Sequence, residues 1–240
     1  MPPNEHFIGI DVAASRPSDI VVLDANLREA ELLSSTDPAA TSLELAERYP
    51  NAVVAVDASR CLSKRLMQCD AFRTGLDLPP PEGKYLNCRS AEYELMRRNV
   101  SIYQTPEEMP DWLRAWLEEG FAWYDALIAA GYADHSHHPC AKAPCVIESY
   151  PYANFVALLG GLPPGKATRA GRVARVTALR DAGVEADYAL MDVDQLDATV
   201  CAVASARFAA GESADYGDPR EGVLTVAANL PDRATKIEVS

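Results

Sequence analysis

Apolar residues fall into short blocks near the start of the chain and into longer helical stripes further on. Phe7-Ile8-Gly9-Ile10-Asp11-Val12-Ala13 reads as a buried strand with a carboxylate at its end. An apolar strand so near the N-terminus suits the centre of an α/β sheet, where chemistry gathers beyond the carboxyl ends of the strands. Gly9 lets something approach that backbone closely. Ile20 to Leu23 and Glu29 to Leu33 give two more strands around a hairpin turn at Asp24-Ala25-Asn26-Leu27, which predicts an antiparallel meander. Thr36 or Asp37 then caps a helix with Pro38 in its first turn and Leu43, Leu45 and Ala46 on its apolar face. After Tyr49-Pro50-Asn51, the stretch Ala52 to Asp57 repeats the pattern of an apolar strand closed by an aspartate. The order is β-β-β-α-β.

The pattern from Arg60 to Pro144 is less regular. Arg89 to Asn99 predicts one helix and Pro110 to Gly131 a stronger one, in which Trp112, Leu113, Trp116, Leu117, Trp123, Leu127 and Ile128 recur at helical spacing and read as core. Ala133 to Pro144 reads as a polar loop, so residues 60–144 form a helical insertion bordering the site. Cys145-Val146-Ile147-Glu148 is a further strand, this one ending in a glutamate. Helices follow over Tyr152 to Leu159, Gly171 to Asp181 and Asp192 to Ala210, then a short strand from Val223 to Val226. One domain over 1–230 with a tail from 231 to 240 accounts for this organisation.

The chain has 240 residues, 48% of them hydrophobic, enough for a substantial core. No apolar run is long enough to cross a membrane, and the N-terminus lacks the basic and apolar regions of a signal peptide. These features predict a cytoplasmic protein whose six cysteines are unpaired. A net charge of −13 argues against a generic nucleic-acid coat, yet leaves room for a local basic groove or a metal-bridged phosphate.

If the three acid-terminated strands are parallel, Asp11, Asp57 and Glu148 meet at one sheet edge. Each of them, taken alone, also suits a cap or a turn. Asp194 and Asp197, three apart, share a face at the start of the last helix. They read either as first-turn acids or as a fourth carboxylate directed at that edge. Gathered carboxylates repel one another without a cation, and hard oxygen donors suit Mg²⁺ or Mn²⁺. Lys166, Arg169, Arg172 and Arg175 follow as a solvated basic face or as phosphate contacts, and Arg89 with Glu92 as a supporting ion pair. His135-Ser136-His137-His138-Pro139-Cys140, with Cys145 beyond, is either a zinc loop or a plain polar loop; it has no ordered CxxC or HxxxH pair.

The element order, with acids on the first and fourth strands and on a late helix, resembles the ribonuclease H-like fold. More narrowly, Gly9-Ile10-Asp11, Val56-Asp57-Ala58, Glu148-Ser149-Tyr150-Pro151, Lys166 with Gly171 and Arg175, Asp197-Ala198 and Gly217-Asp218-Pro219-Arg220-Glu221-Gly222 are similar to DUF429, an uncharacterised family described as predicted ribonuclease H-related nucleases. The last helix also resembles that of the RuvC-like resolvases, with Asp197 at the catalytic acid and Asp194 where His is common.

The resemblance implies an α/β fold: a mixed five-stranded sheet in the order 3-2-1-4-5, flanked by helices, with a helical insertion after strand 4. It implies a metal-dependent nuclease or phosphodiesterase that cleaves a nucleic acid or nucleotide by two-metal catalysis. Asp11, Asp57 and Asp197 would be metal ligands and catalytic acids, with Glu148 a lesser catalytic candidate about 10 Å from the first strand. Lys166, Arg175 and Arg89 would contact substrate. The alternative is a non-catalytic protein on the same fold that binds a nucleotide or a partner.

Overall fold

The structure is a computed structural model of the chain and describes residues 5–140 and 143–237. Strand β1 (Phe7–Asp11) alternates its side chains between two apolar layers and pairs on both edges. The antiparallel meander continues through β2 (Ser18–Leu23) and β3 (Glu29–Ser35). Helix α1 (Pro38–Arg48) starts at Asp37, whose Oδ1 accepts from the Ala40 amide at 3.0 Å, and leads into β4 (Val53–Asp57), parallel to β1. Next come α2 (Asp70–Thr74), α3 (Ser90–Arg97) and α4 (Asp111–Ala129), then β5 (Ala133–Asp134) and β6 (Cys145–Ser149). Helices α5 (Pro151–Leu159), α6 (Arg169–Asp181) and α7 (Val193–Ala210) precede a separate hairpin of β7 (Ala214–Tyr216) and β8 (Leu224–Val226).

The central sheet is mixed and six-stranded, in the order β3-β2-β1-β4-β6-β5, rather than five-stranded in the order 3-2-1-4-5. The difference is β5: two residues of the expected polar loop lie parallel to β6 and extend the edge. Cys140 and Cys145 are joined, because the chain doubles back from β5 into β6. The expectation of six unpaired cysteines therefore reduces, among the described residues, to Cys61, Cys69, Cys88 and Cys201.

One face of the sheet offers Ile8, Ile10, Val54 and Val56 to Leu45 of α1 and to Trp123, Tyr124 and Leu127 of α4. Phe7 and Val21, on the other face, pack against Leu196, Val200 and Val203 of α7 and Phe155 of α5. Helix α7 buries nearly its whole circumference. Residues 196–206 are all buried, since the sheet lies on one side and α5 and α6 on the other. Alanines at 198, 202, 204 and 206 make this close packing possible. Leu43 of α1, expected in the core, is exposed. Beyond Leu230 the chain is tied down by the Leu162 amide to the Thr235 carbonyl (2.7 Å) and the Ala234 amide to the Arg98 carbonyl (2.9 Å), while residues 238–240 of the expected tail lie outside the described range. No helix among the described residues is long and apolar enough to cross a membrane.

Candidate functional site

Asp11 and Asp57 are register partners at the ends of adjacent parallel strands. Alternation places Asp11 on the face of Phe7 and Gly9, and Asp57 on that of Val53 and Ala55. That face is covered by α7. The contact is closest at Gly9, where a Cβ would fall 2.0 Å from the Ala198 carbonyl oxygen and 2.4 Å from the Ala202 nitrogen. What approaches the Gly9 backbone is therefore the last helix, and it carries Asp197 to the same edge. Asp11, Asp57, Asp194 and Asp197 all line one cavity of about 890 Å³.

Three cations reach these acids. Arg16, in the turn after β1, donates through Nη2 to Asp11 Oδ2 at 2.7 Å and through Nη1 to Asp19 Oδ2 at 2.6 Å; its Nη2 also lies 2.9 Å from Asp194 Oδ2. Lys166 Nζ donates to Asp194 Oδ1 at 3.0 Å and to Asp197 Oδ2 at 3.1 Å. Its loop is pressed against α6 at Gly171, where a Cβ would meet the Gly165 carbonyl oxygen at 2.1 Å. The Thr168 hydroxyl caps the same helix by accepting from the Gly171 amide at 3.0 Å. Arg175 is buried against the Phe155 ring and donates through Nη1 to the Gly171 carbonyl at 3.1 Å and the Pro164 carbonyl at 3.3 Å, while its Nε, 3.7 Å from Asp197 Oδ1, has no hydrogen-bond partner among the described residues.

Burial, then the charges of Asp197 and Asp194, push Asp11 up to about 7 against the pull of Arg16. Burial raises Asp57 well above the usual carboxylate range, and Asp11 and Asp197 raise it further. Asp197 is raised by burial despite Lys166 and Arg175. Burial works against the Lys166 charge, but Asp197 and Asp194 outweigh it and hold its pKa up. For Arg175 burial wins, and its pKa is lowered. No backbone amide among the described residues donates to the side chains of Asp11, Asp57 or Asp197, so these acids act neither as caps nor as turn acceptors here.

The donor chemistry suits a hard cation, which would relieve the repulsion that raises these pKa values. The spacing is not that of closed metal ligands. Among the described residues, only His135, Cys140 and Cys145 bring three ligand atoms within 4.8 Å of one another. Arg16 and Lys166 already hold oxygens of Asp11, Asp194 and Asp197.

Glu148 and Arg89 lie elsewhere. Glu148 is the register partner of Val56, while Asp57 pairs with Ser149. One residue of offset turns Glu148 to the opposite face of the sheet. There it accepts from both terminal nitrogens of Arg89, from Nη1 at 2.9 Å, and from the Arg60 amide at 2.9 Å. Arg89 is completely buried, also bound to Glu92, the Ser59 hydroxyl and the Glu221 carbonyl, so it is not free to meet a substrate at the cavity. Glu221 accepts from the amides of Lys64, Leu66 and Ser90 at 2.9–3.1 Å.

Sequence reasoning missed Arg16, whose only signal is its place in the turn directly after the Asp11 strand. It also took Trp112 for core. Trp112 stands in the first turn of α4, 58% exposed, edge-on to Tyr103 (61% exposed) with 5.4 Å between ring centres, and both line the cavity. Trp116 is partly buried and donates from Nε1 to the Val12 carbonyl at 3.0 Å, fixing α4 beside the site.

Comparison with known protein families gives a match. The model of a family described as "Protein of unknown function (DUF429)" covers residues 9–221, a span that includes every acid of both clusters. No curated protein and no solved structure matches the chain.

Proposed function

The chain belongs to the DUF429 family, and from that premise we propose that it is a metal-dependent phosphodiesterase of ribonuclease H-like fold, acting on a nucleic acid or a nucleotide. One observation carries this reading: Asp11, Asp57 and Asp197 come from three different elements to one face of one sheet edge and open into one cavity. The antiparallel β2 and the parallel β1-β4-β6 core support the fold assignment. Mg²⁺ or Mn²⁺ held by Asp11, Asp57 and Asp197 would supply activation of water and stabilisation of the leaving oxygen.

The chain's own residues do the rest. Arg16 and Lys166, whose contacts to Asp11, Asp194 and Asp197 a bound cation would replace, would be the charged donors to phosphate oxygens. Arg175 stays buried behind Asp197 and orients it. Tyr103 and Trp112 offer exposed aromatic faces on which a base stacks regardless of its identity.

A second reading, a non-catalytic nucleotide- or partner-binding protein on the same fold, draws on the ion pairs of Arg16 and Lys166 that already neutralise part of the cluster. Cleavage of end-labelled DNA, RNA and an activated phosphodiester in Mn²⁺ separates the two. The first reading predicts cleavage by wild type and none by Asp11→Asn. Binding of a nucleotide without turnover of any of the three substrates sinks it in favour of the second.

A further inference from the structure

We propose that, when the Cys140–Cys145 pair is reduced, the chain binds one zinc ion on His135 Nδ1, Cys140 Sγ and Cys145 Sγ. A ring nitrogen of His135 and the two sulfurs lie within 4.8 Å of one another, and His135 and Cys145 are buried. Their Cα traces leave room for an ion: those of Cys140 and Cys145 stand 7.0 Å apart, and each thiolate reaches zinc at about 2.3 Å.

The imidazole is already set for the task. Its Nε2 meets Asp215 Oδ2 at 2.9 Å, and Asp215 Oδ1 accepts from the Thr225 hydroxyl at 2.7 Å. Its Nδ1 accepts from the Cys140 amide at 3.0 Å and lies 3.7 Å from Cys140 Sγ. The proton therefore sits on Nε2, and the Nδ1 lone pair, taken by the Cys140 amide, lies beside Cys140 Sγ. A carboxylate behind a histidine is the partner that fixes ring and tautomer in metal sites. The Phe208 ring, edge-on at 4.5 Å, closes one side.

The chemistry balances simply. A thiol or phosphine reductant supplies two electrons, and with two protons the joined sulfurs become two thiols. Zinc then displaces both thiol protons to solvent and exchanges the Cys140 amide bond at Nδ1 for coordination. A water completes the tetrahedron. The ion would fasten the edge strand β5 and its loop to the start of β6 and, through Asp215, to the β7–β8 hairpin. Cys145 is four residues upstream of Ser149, the register partner of Asp57, so the site lies about 13 Å along the strand from the acidic edge. Its presence does not depend on the phosphodiesterase reading.

Cobalt(II) titration of the full chain, reduced with a phosphine under nitrogen, tests the proposal. The expected result is one equivalent taken up with a sulfur-to-cobalt charge-transfer band and the visible bands of a tetrahedral ion, both displaced by zinc. Cys140→Ser and Cys145→Ser each abolish the charge-transfer intensity of a two-thiolate site, and Asp215→Asn weakens affinity about 10–100-fold. His135→Gln, which keeps the polar contact to Asp215, loses tetrahedral binding even where a cysteine variant folds poorly. Reduced wild type that shows no thiolate–cobalt band overturns the proposal, as does a band that survives in both cysteine variants or a pair that resists reduction in the folded chain.

Discussion

Two carboxylate clusters sit back to back across one end of the sheet, and their surroundings differ in kind. Glu148 and Glu92 share the buried Arg89, which also donates to the Glu221 main-chain carbonyl, and each of the three carboxylates accepts at least one backbone amide: Arg60 to Glu148, Arg89 and Thr105 to Glu92, and three amides to Glu221. Asp11, Asp57 and Asp197 accept none among the described residues and open into a cavity; the partly exposed Arg16 and Lys166 reach Asp11 and Asp197 and meet at Asp194. Burial raises Glu92, but Arg89, the Thr105 hydroxyl and the Arg89 amide pull it back. For Asp11 and Asp57 the neighbouring acids push the same way as burial. A cluster satisfied from within holds the fold together. One left short of donors is suited to bind something from outside.

The largest expected effect is on the satisfied side. Arg89→Met strands Glu148 and Glu92 in the core and should cost about 3–5 kcal/mol in urea unfolding; a loss below about 1 kcal/mol would erase the contrast between the clusters. Next is Gly9→Ala, whose methyl has no room beneath α7. It should cost about 1–3 kcal/mol and displace Asp197 from Asp11, so metal affinity should fall with stability.

Asp11→Asn should act in the opposite direction. A carboxyl group whose pKa is raised on folding, here from 3.8 to about 7, binds its proton more tightly in the folded chain. Its contribution is intact below pH 4 and is lost as pH rises through about 7. The metal-free variant should match wild type at pH 4 and exceed it at pH 8 by at least about 1–2 kcal/mol. Equal melting temperatures at both pH values would show that Asp11 is not under repulsion. The smallest stability effect belongs to Lys166→Met. Its half-exposed pairs are worth less than about 1 kcal/mol, yet removing a competitor for Asp197 should tighten Mn²⁺ binding and weaken oligonucleotide binding. Loss of Mn²⁺ affinity instead would make Lys166 a support of the metal site rather than a competitor.

Much of this was legible in the sequence, and the misses have physical causes. Asp11 and Asp57 could be placed because each ends an apolar strand with the same parity, and Asp197 because of its place on the last helix. Glu148 was misplaced because its strand reads like the other two, although the acid falls one residue short of their register. Parity, not proximity, decided its face. Arg89 was legible as the partner of Glu92, but it also looked like a substrate contact because the sequence carries no sign of Glu148 and Glu221 beside it. The edge strand β5 is two residues long and has no apolar pattern of its own. Trp112 followed the helical stripe, but the first turn of α4 overhangs the cavity. The joined Cys140 and Cys145 depend on a chain reversal that spacing does not encode.

The central claim is that the cavity acids, not those across the sheet, form the cation site. Calorimetric titration of Mn²⁺ into wild type, Asp11→Asn, Asp57→Asn and Glu148→Gln, each verified as folded, tests it most directly. The account predicts binding to wild type and to Glu148→Gln, and at least a tenfold loss of affinity in both aspartate variants, as the removal of a charged oxygen ligand from a strongly hydrated ion requires. Folded wild type that binds no Mn²⁺, or aspartate variants that bind it as well as wild type, would contradict it.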